Sequence, residues 1–166
     1  MADALTYGAV VSALKVFSPR LVLGGGTSVS RQFYSIKVSP FAIVNWRIGE
    51  HWRLANALPS GPLGGAGIEL RAMPDAVWEI AAGGVLRSDR SRLSATGPYP
   101  DAIGEKSSMP MFARASRRFG PLWRADVYAG AFTNGRLRVK DSDGNELVSR
   151  TYAASPAFAA TLSFKR

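Results

Sequence analysis

The feature that most constrains this chain is a two-residue rhythm of apolar and polar side chains, repeated in segment after segment. From Leu122 to Thr133, Trp123, Ala125, Val127, Ala129 and Ala131 alternate with Arg124, Asp126, Tyr128 and Gly130. Successive residues of a strand point to opposite faces, so such a segment reads as a strand with one apolar and one polar face. Met109, Met111, Ala113 and Ala115 repeat the pattern against Arg114, Ser116 and Arg118. So do Ile68, Leu70 and Ala72 against Glu69 and Arg71, and Trp78, Ile80, Ala82, Gly84 and Leu86 against Glu79 and Arg87. Pro40, Ala42, Val44, Trp46 and Ile48 alternate with Asn45 and Arg47, and Phe158, Ala160, Leu162 and Phe164 with Thr161 and Ser163. Helical spacing is poor throughout. The best helical window, Ala4 to Phe17, carries Thr6, Tyr7, Val10, Val11 and Val16, residues that favour strands.

Nine strands are expected: Leu5–Phe17, Arg20–Ser30, Val38–Ile48, His51–Leu58, Ala66–Met73, Ala76–Leu93, Ser108–Phe119, Leu122–Lys140 and Glu146–Phe164. Four breaks are tight and carry turn-forming residues: Ser18-Pro19, Gly49-Glu50, Pro74-Asp75 and Gly120-Pro121. Longer connections lie between them, at Arg31 to Lys37, Pro59 to Gly65 and Leu93 to Ser107, with a hairpin tip at Asp141 to Asn145. Alternating short and long connections are the habit of an antiparallel up-and-down transmembrane β-barrel of the outer membrane. The expected fold is therefore all-β, a single barrel domain over 1–166 of about 9–10 strands. Bacterial single-chain barrels have even strand numbers. A count of nine, with no basic segment behind Met1-Ala2-Asp3, leads to the expectation that an upstream strand and a signal peptide are missing.

The chain holds 166 residues, enough for one domain. It has no cysteine and one histidine, His51. Thiolate nucleophiles, disulfides and Cys- or His-rich metal sites are excluded. No run reaches the ~18 apolar residues of a membrane-spanning helix, but a spanning strand needs only ~9–11. The 21 Lys+Arg against 12 Asp+Glu give a net charge of +9. A nucleic-acid interface wants a basic stripe or arm. Here the cations alternate with apolar residues along strands, so no nucleic-acid partner is expected.

Several short motifs read as structure rather than chemistry. Gly24-Gly25-Gly26 and Gly61-Pro62-Leu63-Gly64-Gly65 are not followed by Lys-Ser/Thr and are not P-loops. Asp141-Ser142-Asp143-Gly144-Asn145-Glu146 opens like a calcium loop, but its twelfth position is Tyr152, so a polar hairpin tip is expected. His51 falls at a turn, away from any serine of the polar faces. No catalytic residue, metal or cofactor is expected.

The runs Ser39-Pro40-Phe41-Ala42-Ile43-Val44-Asn45-Trp46-Arg47-Ile48, Trp52-Arg53-Leu54, Leu58-Pro59-Ser60-Gly61-Pro62 and Pro110-Met111-Phe112-Ala113-Arg114-Ala115-Ser116 belong together with Tyr128-Ala129-Gly130 and a closing aromatic strand. In this pattern the chain resembles the C-terminal part of uncharacterised proteobacterial outer-membrane β-barrel proteins. The resemblance implies insertion by the barrel assembly machinery, contact with outer-membrane lipid and lipopolysaccharide, and a structural or passive pore or surface-binding role. One departure is that Phe164 is followed by Lys165-Arg166, where such proteins end on an aromatic residue.

Trp46, Trp78, Trp123, Phe158 and Phe164 are expected to face lipid near strand ends, as aromatic residues do at membrane interfaces. Glu69, Arg71, Glu79, Arg114, Arg124 and Asp126 are expected to face the lumen, with Glu79–Arg71 and Asp126–Arg114 as couples. They would either line an anion-favouring pore or fill the interior with ion pairs. The second is favoured, because small barrels are filled by side chains. Arg90, Arg92, Arg136, Arg138 and Lys140 lie near the long loops, where lipopolysaccharide phosphates would meet them. The competing reading is a soluble or periplasmic β-barrel or sandwich with the faces reversed and a small apolar ligand inside.

Overall fold

A computed structural model describes residues 7–32, 35–56, 66–141 and 143–165. The strands are β1 (Tyr7–Ser18), β2 (Leu21–Gln32), β3 (Ser35–Ile48), β4 (Trp52–Asn56), β5 (Ala66–Ala72), β6 (Trp78–Arg92), β7 (Ile103–Phe119), β8 (Trp123–Lys140), β9 (Glu146–Tyr152) and β10 (Ser155–Phe164). No helix occurs among the described residues. Each strand pairs antiparallel with the next in sequence, in the order β1 to β8, and β8 then pairs with both β9 and β10. The fold is the all-β, up-and-down sheet that the alternation implies. It is not closed, because its path runs from β1 at one edge to β10 at the other.

The tenth strand arises from a break in the ninth. β9 and β10 run along the same side of β8, with Tyr152 opposite Gly135 and Ser155 opposite Phe132. Ala153 and Ala154 interrupt the pass where β8 itself is irregular. Between Met109↔Thr133 and Ser107↔Arg136, β7 spends one residue and β8 spends two, Asn134 and Gly135. That is a β-bulge, and Asn134 has φ 50°, a value that Asn tolerates better than most residues. The Tyr152 ring lies over Gly135, where a Cβ would collide with it.

Two boundaries differ from the sequence reading. The long connection expected at Arg31 to Lys37 is mostly ladder: β2 and β3 stay paired up to Gln32↔Ser35, leaving only 33–34 outside. β7 begins at Ile103 rather than Ser108, so the Leu93–Ser107 connection shrinks to 93–102. The Pro59–Gly65 connection and the Gly61–Gly65 motif lie outside the described residues. The four tight turns fall where expected, at 19–20, 49–51, 73–77 and 120–122, all at one end of the sheet.

One face of the central strands is buried and the other exposed. On β7, Pro110, Phe112, Arg114 and Ser116 are buried, whereas Met111, Ala113, Ala115 and Arg117 are exposed. On β6, Glu79, Ala81 and Val85 are buried between exposed Trp78, Ile80, Ala82 and Leu86. Among the described residues no second layer covers the buried face, so the sheet shields it by coiling round it. Val85, Phe112 and Tyr128 form a small apolar cluster there, flanked by Phe132 and Ala159.

Glycines make that coiling sterically possible. A Cβ on Gly83 would sit 2.8 Å from the Glu69 Cβ, and one on Gly26 would meet the Phe41 ring at 2.6 Å. The Gly24–Gly26 run is thus an interior of β2 that lets neighbouring strands approach. Gly84 points the other way, and a Cβ there would be 3.7 Å from the nearest atom, an ordinary contact. Gly83→Val is therefore expected to destabilise the fold by about 1–3 kcal/mol, the usual penalty for overpacking, while Gly84→Ala changes it little. Urea unfolding midpoints of the two variants check this, and equal midpoints would contradict it.

Candidate functional site

The buried face carries a charged cluster toward the tight-turn end of β5 to β8. Arg114 is its centre, with a side chain at 0% exposure. Its NH2 donates to Glu69 Oε1 at 3.0 Å and to Glu79 Oε1 at 2.6 Å, and its NH1 to Asp126 Oδ1 at 3.2 Å and to Ser116 Oγ. Arg124 donates from Nε to Asp126 Oδ1 at 2.9 Å and from NH2 to Glu79 Oε1 at 3.1 Å and Ser116 Oγ at 3.0 Å. Arg71 Nε donates to Glu69 Oε1, and its NH2 to the Asn56 carbonyl at 3.0 Å. Ser116 donates its own proton to Asp126, and Thr161 of β10 donates to the second Asp126 oxygen at 3.2 Å. Three guanidiniums thus face three carboxylates, Glu69, Glu79 and Asp126, and their formal charges cancel.

Register explains how residues on four strands meet. Arg114 lies directly opposite Ala81, and Glu69 directly opposite Gly83. The small side chains of β6 leave a channel through which Arg114 reaches past its neighbouring strand to Glu69. Glu79 lies opposite Ser116, which turns it toward β7 and β8. The expected Asp126–Arg114 couple is formed. The expected Glu79–Arg71 couple is not: Arg71 is opposite Ala81, pairs within its own strand with Glu69, and leaves Glu79 to Arg114 and Arg124. Ser116 and Thr161 were not expected in the cluster. Their signal was their place on the polar face, each directly opposite Asp126.

All six charged residues, Glu69, Arg71, Glu79, Arg114, Arg124 and Asp126, share the inner face. Trp46, Trp78, Trp123, Phe158 and Phe164 share the other, with exposures of 43%, 41%, 45%, 79% and 54%. Trp78 and Trp123 open their strands beside tight turns, Trp46 lies two residues before one, and Phe164 packs on Trp123 with ring centroids 4.9 Å apart. Phe158 is an exception to the strand-end expectation. It sits opposite Ala129 in the middle of the apolar stretch. Trp52 and Phe119 complete the rim at the tight-turn end, signalled by their places beside turns. Arg117 lies over both the Trp78 and Phe119 rings, at 5.4 and 5.0 Å.

Beyond the bulge the outer face changes character. On β6, Leu86 gives way to Ser88, Arg90 and Arg92. Arg90, Glu105 and Arg138 lie in one cross-strand row, as do Arg92, Ile103 and Lys140, and Arg136 lies opposite Ser107. Arg90 and Lys140 both reach Glu105, at 3.5 and 3.3 Å, Arg92 meets Asp101 at 3.3 Å, and Arg138 meets Glu146 at 3.4 Å. Five cations therefore sit among three carboxylates.

The hairpin tip is self-contained. Asp141 accepts bonds from the Asp143 and Asn145 amides at 3.0 and 2.8 Å and from Asn145 Nδ2 at 2.9 Å, which hold its carboxyl below the usual range. Its oxygens serve the turn. His51 lies exposed in the turn after β3. Comparison with protein-family models, curated proteins and solved structures finds no match.

The cluster's chemistry is charge neutralisation, with each group held by fixed partners. Arg114→Met would leave Glu69, Glu79 and Asp126 short of their shared counter-ion. A loss of about 3–5 kcal/mol is expected, as for other broken buried pairs. Arg124→Met, at a site 26% exposed, is expected to cost less. Urea unfolding distinguishes the two, and an Arg114→Met protein as stable as the parent would contradict the account.

Proposed function

We propose that this chain is an outer-membrane β-barrel protein, or the larger part of one, whose role is that of a membrane-embedded scaffold with external loops and no chemistry of its own. The observation that carries this reading is the exposed apolar band between an aromatic rim and a basic one. Along β8 it runs from Trp123 to Thr133. Ten residues at about 3.3 Å each, tilted by about 40°, rise about 25 Å, the height of the apolar band of outer-membrane barrels. Exposed apolar patches of this extent are rare on water-soluble monomers. The interior of charged groups matches a barrel filled by ion pairs, which favours a scaffold over a wide pore.

The partners follow from the same geometry. The tight-turn rim of Trp46, Trp52, Trp78 and Trp123 would sit at one interface, on the periplasmic side. The basic rim of Arg90, Arg92, Arg136, Arg138 and Lys140 would sit at the other, facing lipopolysaccharide phosphates. Insertion would be the work of the barrel assembly machinery. The reversed arrangement, a soluble barrel around an apolar ligand, would need Trp123 and Val127 on the buried face, and both are exposed, at 45% and 59%. Tryptophan fluorescence tests the proposal. In vesicles of lipid brominated near the head group, strong quenching is expected, because all four tryptophans lie at one interface. Emission unchanged by the bromines would overturn it.

A further inference from the structure

On the inner face, one residue pair in from the β3–β4 turn, Arg47 lies directly opposite Arg53, and Arg53 directly opposite Arg71. Three guanidinium side chains thus form a single row across three neighbouring strands. Directly opposed residues have Cβ atoms about 4.5–5.5 Å apart, and like charges so placed repel. The row is not neutralised from within. Among the described residues, neither Arg47 nor Arg53 has a carboxylate within ion-pair distance, and the Glu69 that meets Arg71 is shared with Arg114. Two of the three side chains are nevertheless held. Arg53 donates from Nε to Asn45 Oδ1 at 2.9 Å, and Arg71 is fixed through Nε to Glu69 and through NH2 to the Asn56 carbonyl. Anchoring through Nε orients the fork, and among the described residues neither terminal nitrogen of Arg53 has a partner.

We propose that Arg47, Arg53 and Arg71 form a binding site for a phosphoryl group on the inner face at the tight-turn end. A doubly charged tetrahedral oxyanion relieves the repulsion of the row and matches the planar fork of arginine. The inference rests on the barrel reading only in naming this face the inner one. The phosphoryl group has two possible carriers, a soluble phosphate and a lipid head group.

The test uses the whole protein folded in neutral maltoside micelles, titrated with inorganic phosphate in one arm and with phosphatidic acid in the other. Saturable binding is expected in at least one arm, read by calorimetry and by a rise in the urea midpoint. The arm that responds identifies the carrier. Arg53→Gln and Arg47→Gln are each expected to weaken that binding about tenfold, the worth of one charge-assisted contact. Without phosphate they should unfold at the same or higher urea, since repulsion is relieved. Arg117→Gln, on the outer face, should bind as the parent does. Arg53→Lys keeps the charge but loses the fork, so it too should bind more weakly; it serves if the glutamine variants fail to fold. No saturable binding in either arm overturns the proposal, and so does undiminished binding by the Arg53 variants. Lipid quenching of tryptophan is read without phosphate, so a failure here leaves the membrane reading untouched.

Discussion

The structure depends on neutralising charge inside a single curled layer of strands. Arg114 has no exposed side-chain surface and touches three carboxylates on three other strands, β5, β6 and β8. Each of those carboxylates is in turn shared with another arginine, Glu69 with Arg71 and both Glu79 and Asp126 with Arg124. Ion pairs buried in this way stabilise only if every partner is satisfied, since the desolvation cost is large. The cluster therefore acts less as a source of energy than as a lock on register. A one-residue slip of β6 against β7 would turn Glu79 to the opposite face and leave Arg114 without one of its anions.

The small residues of β6 are the complement of that lock. Ala81 and Gly83 lie between Arg114 and Glu69, and any larger side chain would block the contact. Local chain geometry, sheet curvature and the charged interior are in this sense one arrangement. The outer face follows from it: once polar groups satisfy one another inside, the alternating positions are left apolar and exposed. The end of that face is set by the bulge at Asn134 and Gly135, beyond which the same face carries arginine and lysine.

Much of this was legible from the residues alone. The alternation on β3 and on β5 to β8 predicted both faces, all six inner charges and the outward Trp46, Trp78 and Trp123. The order of the sheet was legible from turn residues such as Gly49, Asp75 and Gly120. What was not legible lies where alternation fades. Gly104 to Ser107 offers no apolar face, because it is clear of the apolar band, so nothing marked it as strand. The β2–β3 hairpin was hidden for a similar reason, since Ser30, Arg31 and Gln32 give no apolar face. The choice of Glu69 over Glu79 as partner of Arg71 depends on register and on the space left by Ala81, which single-strand patterns do not carry. Trp52 was read only as part of the Trp52-Arg53-Leu54 run and not as a rim residue, because the strand it opens is too short for a clear alternation.

The claim on which the account turns is that, from Trp123 to Thr133, odd-numbered residues of β8 face lipid and even-numbered residues face inward. The chain has no cysteine, so single cysteines can be placed at each position from 124 to 132 and spin-labelled without background. With the protein in vesicles, collisions with oxygen, which concentrates in the bilayer, should be high at 125, 127, 129 and 131 and low at 124, 126, 128, 130 and 132. A flat profile, or one with the opposite phase, would contradict the account.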